Sequence, residues 1–288
     1  MFRILMIIVL LVGFSFGREI NITATIKPLA DIAKEVVKNR ANVTYIIPPN
    51  VSLHLYEYKV SDIKKVKNAD LFLYISVGEP NINNLTKIAK KDALLNVSKI
   101  KGIYLIKEYK FHEHEKDKHH KNSFHPALWL DPYNAKIIAK KVLERIIKLD
   151  PKNKKFYTKN YKIFAQKCDE IISYGNKKFN SLIQKDFISY HYVWPYFTKR
   201  FGLNYIAVIE IGHGQEPTIK HLINIISLIK KKHIKSIFAS IQFYNPKYIK
   251  IIKNQTEVKI VYLDPFGIDK SYIQMIKFNI DNISANLN

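Results

Sequence analysis

The chain has 288 residues, 47% of them hydrophobic, which excludes a disordered polymer and, at roughly 150 residues per unit, suffices for two lobes with real cores. Its 47 Lys plus Arg outnumber 24 Asp plus Glu, giving a formal net charge of +23. The lysines run along the whole chain without a helix-turn-helix, RRM or zinc-finger pattern, so a nucleic-acid partner is set aside in favour of attraction to anionic lipid surfaces.

Met1-Phe2-Arg3 and the apolar run from Ile4 to Val12, continuing to Phe16, have the charged start and short hydrophobic stretch of an export signal. The run is short for a membrane span, so residues 1–18 are expected to be a signal peptide or an N-terminal anchor. The rest is expected to lie outside the cytoplasm, at the cell surface or in a periplasm-like space. Sequons at Asn21, Asn42, Asn50, Asn84, Asn96, Asn254 and Asn282 carry little weight in a chain so rich in Asn. The single cysteine, Cys168, excludes an internal disulfide and is expected to pack within a helix.

Beyond the signal, β-branched runs alternate with segments of helical period, as βαβ units do. Strands are predicted at 20–26, 43–47 and 71–75, with helices from Pro28 and Ser61 between them. A polar tract at 111–125 and Trp129-Leu130-Asp131-Pro132 lead into a helix over 134–148. Asp150-Pro151 then reads as the cap and first residue of a helix of roughly 25 residues or more, with Tyr157, Tyr161, Phe164, Cys168, Ile171 and Ile172 at helical spacing. Strands at 187–190, 205–208, 236–239 and 259–263 follow, with helices at 192–201, 216–232, 246–254 and from Ser271. The expected fold is α/β: two lobes, each a mostly parallel sheet flanked by helices, joined by one long rigid helix. The N-terminal lobe covers 19–150, the linking helix 151–184 and the C-terminal lobe 185–288.

Four of the ten histidines, His112, His114, His119 and His120, fall in the tract, and His125 follows. Imidazole binds zinc, copper and nickel, but a loop without apolar period holds ligands poorly and collects metal loosely. A defined site needs rigid placement, and α/β sheets bind ligands at the carboxyl ends of their strands. His54 lies in the loop after the second strand, His191 directly after the strand ending at Tyr190, and Asp264 directly after Leu263. Imidazole and carboxylate on separate strand ends can meet on one ion in the cleft between lobes. Glu216 is a carboxylate that could orient a ligand histidine, or a helix-start residue. His213 is expected in a surface turn, with His221 and His233 solvated.

These residues sit within motifs that resemble the substrate-binding proteins of zinc and manganese ABC importers, the group with a long helix between lobes. His54-Leu55-Tyr56-Glu57 with Ser61-Asp62, Ala69-Asp70-Leu71, Trp129-Leu130-Asp131-Pro132 with Asn134-Ala135, His191 with Tyr196-Phe197, Glu216-Pro217-Thr218 and Leu263-Asp264-Pro265-Phe266-Gly267 follow the family's order and spacing. The resemblance implies metal ligands at His54, His191 and Asp264. The family's remaining histidine falls on Ala127, and His125, two residues earlier, is the candidate replacement. Histidine at 191, where manganese-type members carry a carboxylate, together with the His-rich loop, implies Zn2+ ahead of Mn2+. It further implies a monomeric binding protein, not an enzyme, that delivers zinc to an importer's membrane permease with its separate ATPase subunit. The chain has no phosphate-binding loop with which to hydrolyse nucleotide itself. The remoter alternatives are a surface protein that sequesters metal in the tract and a zinc hydrolase, for which no His-Glu-x-x-His is present.

Overall fold

Parallel strands cannot be joined by tight turns, so each β-run of this chain is followed by a crossover segment that returns over the sheet. A computed structural model describes residues 19–51, 53–107, 124–210, 216–242 and 244–287, apart from the His54 side chain. The N-terminal sheet contains β1 (Asn21–Ile26), β2 (Asn42–Ile47), β3 (Leu71–Tyr74) and β4 (Leu94–Asn96) in the order β2-β1-β3-β4, all parallel. The C-terminal sheet repeats the plan with β5 (Asp186–Ser189), β6 (Asn204–Val208), β7 (Ser236–Ser240) and β8 (Lys259–Leu263) in the order β6-β5-β7-β8. In both sheets the order reverses beside the first strand, where α/β folds open a crevice.

Helices α1 (Lys27–Val37), α2 (Val60–Asn68) and α3 (Ile82–Ile88) belong to the first lobe. Helix α4 (Pro132–Leu149) is started by Asp131, whose carboxylate accepts from the Tyr133 N–H at 2.9 Å, with Pro132 at the first helical position. The linking helix α5 (Lys154–Asn180) is 27 residues long and buries Tyr157, Phe164, Cys168, Ile171, Gly175 and Phe179 along one face. Its start differs from expectation. Pro151–Asn153 form a 3-10 turn, and the Asp150 carboxylate receives the Asn153 amide and the Tyr157 hydroxyl, both at 2.6 Å, instead of capping α5. Burial pushes the Cys168 thiol far above its usual range, so the residue acts as packing.

The second lobe adds α6 (Pro195–Arg200), α7 (Ile219–Lys232), α8 (Pro246–Gln255) and α9 (Tyr272–Asn286). Helix α6 is shorter than predicted and begins at Pro195, a residue suited to the first helical position. Helix α7 starts at Ile219, with the Thr218 hydroxyl accepting from the His221 N–H at 3.2 Å, so Glu216 stands ahead of the cap. Helix α5 packs on α1 and α4 of the first lobe and on α9 of the second. One hydrophobic cluster therefore runs from Ile22 and Phe72 through Phe164 and Phe179 to Phe187, Trp194 and Tyr272.

The segment 125–131 is the joint between the lobes. The Trp129 indole N–H donates to the Pro265 carbonyl at 2.8 Å, and the Tyr272 hydroxyl donates to the Trp129 carbonyl at 2.7 Å. The Tyr196 hydroxyl donates to the His125 carbonyl at 2.9 Å, and Arg200 grips Asp131 through Nε and Nη2 at 2.7 and 2.8 Å.

Candidate metal site

The carboxyl edge of the second sheet collects the polar groups. His191 follows β5 immediately, its carbonyl accepting from the Ser189 hydroxyl at 2.7 Å and the Tyr205 hydroxyl at 3.3 Å. Pairing of β5 with β6 continues past both strands, since the Ile209 N–H donates to Ser189 at 3.0 Å and the Glu210 N–H to Tyr190 at 2.9 Å. This register sets Glu210 beside His191, and the imidazole Nδ1 is hydrogen-bonded to a Glu210 carboxylate oxygen. The pair is about one-sixth exposed, with side-chain values of 16% and 15%. An imidazole held through Nδ1 by a carboxylate presents Nε2 to a metal, with its ring orientation fixed.

Asp264 follows β8 and is 0% exposed. Oδ1 accepts from the Gln242 amide at 2.9 Å and from the backbone N–H groups of Phe266 and Gly267 at 3.2 and 2.8 Å. Its backbone is clamped by Asn279 of α9, which accepts from the Asp264 N–H at 2.8 Å and donates to the Asp264 carbonyl at 2.7 Å. Gly267 turns through φ +75°, a region that favours glycine.

His54 lies in the 3-10 turn Leu53–Leu55 after β2. Asp62 at the start of α2 holds that loop, accepting from the Tyr56 hydroxyl at 2.8 Å and the Lys59 N–H at 3.0 Å. The His54 side chain lies outside the description. Among the described residues no three His, Cys, Asp or Glu side chains form a metal-binding group.

The geometry departs from expectation at two histidines, His125 and His221, and one carboxylate, Glu216. His125 is 1% exposed, its Nδ1 accepting from the Ala127 N–H at 3.2 Å and its Nε2 lying 3.0 Å from the Tyr192 carbonyl. Both ring nitrogens thus serve backbone groups, and the ring ties the joint to the residue after His191. The His221 Nε2 lies 2.8 Å from the Val208 carbonyl, so this ring braces the end of β6 and is not simply solvated. His233 is exposed, as expected, and caps α7 in a left-handed conformation at φ +51°. Glu216 accepts from the Tyr248 hydroxyl, while the carboxylate on His191 is Glu210. Glu210 was findable in the sequence by the same signal as its partner, being a charged residue just past a strand. His112, His114, His119, His120 and His213 lie outside the described residues.

Comparison with known proteins agrees with this architecture. The family described as "Zinc-uptake complex component A periplasmic" matches residues 22–286. The high-affinity zinc uptake system protein ZnuA of Bacillus subtilis is 27% identical over 286 residues, covering 95% of this chain and 89% of that protein. The manganese ABC transporter substrate-binding lipoprotein PsaA of Streptococcus anginosus is 25% identical over 289 residues, covering 94% and 90%. A crystal structure of ZnuA superposes with a TM-score of 0.81 at 23% identity, covering 94% of this chain and 100% of that one. The laminin-binding protein Lmb of Streptococcus agalactiae, described as having adhesin and metal-transporting activity, gives 0.76 at 26% identity, covering 93% and 100%. With both lobes matched in order and the family profile spanning nearly the whole described chain, the protein belongs to the zinc-uptake component A family, the substrate-binding proteins of metal ABC transporters.

Proposed function

We propose that the protein captures Zn2+ outside the cytoplasm, through His54, His191 and Asp264, and passes it to the membrane permease of an importer driven by a separate ATPase subunit. The observation that carries the proposal is the His191–Glu210 pair, the arrangement by which proteins hold zinc-binding imidazoles, placed on the same sheet edge as the buried carboxylate of Asp264. A nitrogen-rich set with one carboxylate suits zinc. The tract with His112, His114, His119 and His120 would gather metal loosely near the mouth. His125 then positions the backbone beside His191 and does not ligate.

Manganese is the second reading, and Glu210 is what favours it. If this carboxylate turned onto the ion beside Asp264, the set would hold two oxygen donors, as manganese prefers. The test is elemental analysis of protein purified without added metal, followed by competition between Zn2+ and Mn2+. We expect one tight zinc per chain, lost in H191A and weakened about ten- to a hundredfold in E210Q. Because histidine ligands must be deprotonated, zinc affinity should fall between pH 7.5 and 5.5. Undiminished zinc binding in H191A would sink the assignment, and manganese retained against zinc would favour the second reading.

A further inference from the structure

Asp264 and Lys270 stand at the two ends of one turn. The Lys270 ammonium lies 3.5 Å from Asp264 Oδ2, donates to the Ile268 carbonyl at 3.1 Å and sits 4.6 Å from the centre of the Phe278 ring. Its backbone is fixed as well, since its N–H donates to the Gly267 carbonyl at 3.3 Å and its carbonyl accepts from Lys27 Nζ at 2.6 Å. Lys27 belongs to α1, so the first lobe holds this turn of the second in place. With 28% side-chain exposure and contacts on three sides, Lys270 is a built-in cation and not a solvated surface lysine.

The two oxygens of Asp264 are occupied differently. Oδ1 takes three N–H donors, whereas the partner of Oδ2 among the described residues is Lys270 alone. An incoming divalent ion would meet Asp264 at Oδ2, the oxygen that the ammonium already faces.

We infer that Lys270 is a positioning cation that sets metal affinity by sharing Asp264 with the transported ion; the inference rests on the reading of Asp264 as a ligand. A zinc ion about 2.0–2.2 Å from Oδ2 stands within a few ångströms of a fixed positive charge. Like charges that close, in a pocket screened by little water, repel strongly, and the ammonium also draws electron density from the carboxylate. Both effects weaken capture and speed release. A delivery protein must let its cargo go, and a lysine on the ligand supplies that without altering the coordinating atoms.

The experiment measures Zn2+ affinity by chelator competition and the release rate by stopped flow, for the full chain and for K270M, which keeps the apolar stem and removes the charge. K270M should bind zinc about tenfold or more tightly, with release slowed to match. K270R, which keeps the charge, should restore an affinity near that of the wild type. Unchanged or weaker binding in K270M, with the thermal midpoint of its metal-free form preserved, overturns the inference. So does K270R binding as tightly as K270M. If K270M does not fold, K270Q takes its place in the same comparison. D264N separates the two levels: zinc bound equally by D264N and wild type removes the ligand reading itself. Zinc lost in D264N but unaffected in K270M removes only the role of Lys270.

Discussion

Glu79 shows how one buried side chain closes a crevice of the fold. It is 6% exposed at the carboxyl ends of β1 and β3, where the order of the first sheet reverses. The Thr25 hydroxyl donates to one carboxylate oxygen, and the N–H groups of Ile75 and Ser76 donate to the other at 2.9 Å each. Ser76 adopts φ +79°, uncommon outside glycine. Burial nevertheless outweighs these donors and pushes the carboxyl up from the usual 4.5 to about 7. Below the unfolded value the carboxyl is protonated in both states, and the fold bears no cost. As pH rises from there to 7 the unfolded carboxyl ionises while the buried one is held protonated, so stability is lost over that interval by about 3 kcal/mol. Urea midpoints of the wild type should therefore fall between pH 5 and 7.5. E79Q, which can accept both N–H groups and donate to Thr25, should remove most of that fall. An E79Q variant with the wild-type pH slope would place its origin elsewhere.

At the scale of elements, α5 carries a glycine in its interior, at a cost of about 1 kcal/mol relative to alanine. Packing explains it: a methyl on Gly175 would overlap the ring of Phe201. That ring cannot retreat, being 5.4 Å from Phe179 and 4.7 Å from Phe197 between centres. G175A should lower stability by about 1–2 kcal/mol net of its gain in helix propensity, and G175A/F201L should recover part of the loss. A G175A variant as stable as the wild type in chemical denaturation would show that α6 can shift. Much of this framework was legible because helix and strand periods are local. The stripe Tyr157, Phe164, Cys168, Ile171 announces α5, and strand ends point to His191 and Asp264. Helix α3 and the three-residue β4 escaped because neither is long enough to show a period. The pairing of His191 with Glu210 escaped for another reason. It depends on the β5–β6 register, shifted by a bulge between Phe187 and Ile188, and no local pattern encodes a register across strands. Glu216 was the more conspicuous residue only because a proline follows it.

Across the whole molecule one hydrophobic cluster spans both lobes, beside a second around Ile188, Ile225 and Ile252 that belongs to the C-terminal lobe alone, and the residues that join the lobes come from motifs whose physical role the sequence concealed. Trp129 and Asp131 lie in the N-terminal half, but their partners Pro265, Tyr272 and Arg200 are far along the chain. Contacts of such sequence separation leave no periodic trace. Asp131 is 2% exposed and relies on Arg200, itself 28% exposed in its side chain, for two charge-assisted hydrogen bonds. R200A leaves this carboxylate buried with the Tyr133 N–H as its remaining donor among the described contacts, which should cost about 2–4 kcal/mol. The shared cluster from Ile22 to Tyr272 makes a second outcome equally specific. Although the C-terminal lobe has a further cluster of its own, the lobes should unfold together, because α5 and α9 cannot leave one lobe without exposing apolar surface of the other. Trp129 reports the joint and Trp194 the start of α6, so tryptophan fluorescence and far-UV circular dichroism should give one coincident transition. In R200A that transition should move to lower denaturant without splitting. If the two signals separate in R200A, the salt bridge and not the spanning cluster holds the lobes together. Coincidence in both proteins instead assigns the cooperative unit to the packing of α5 against helices of both lobes.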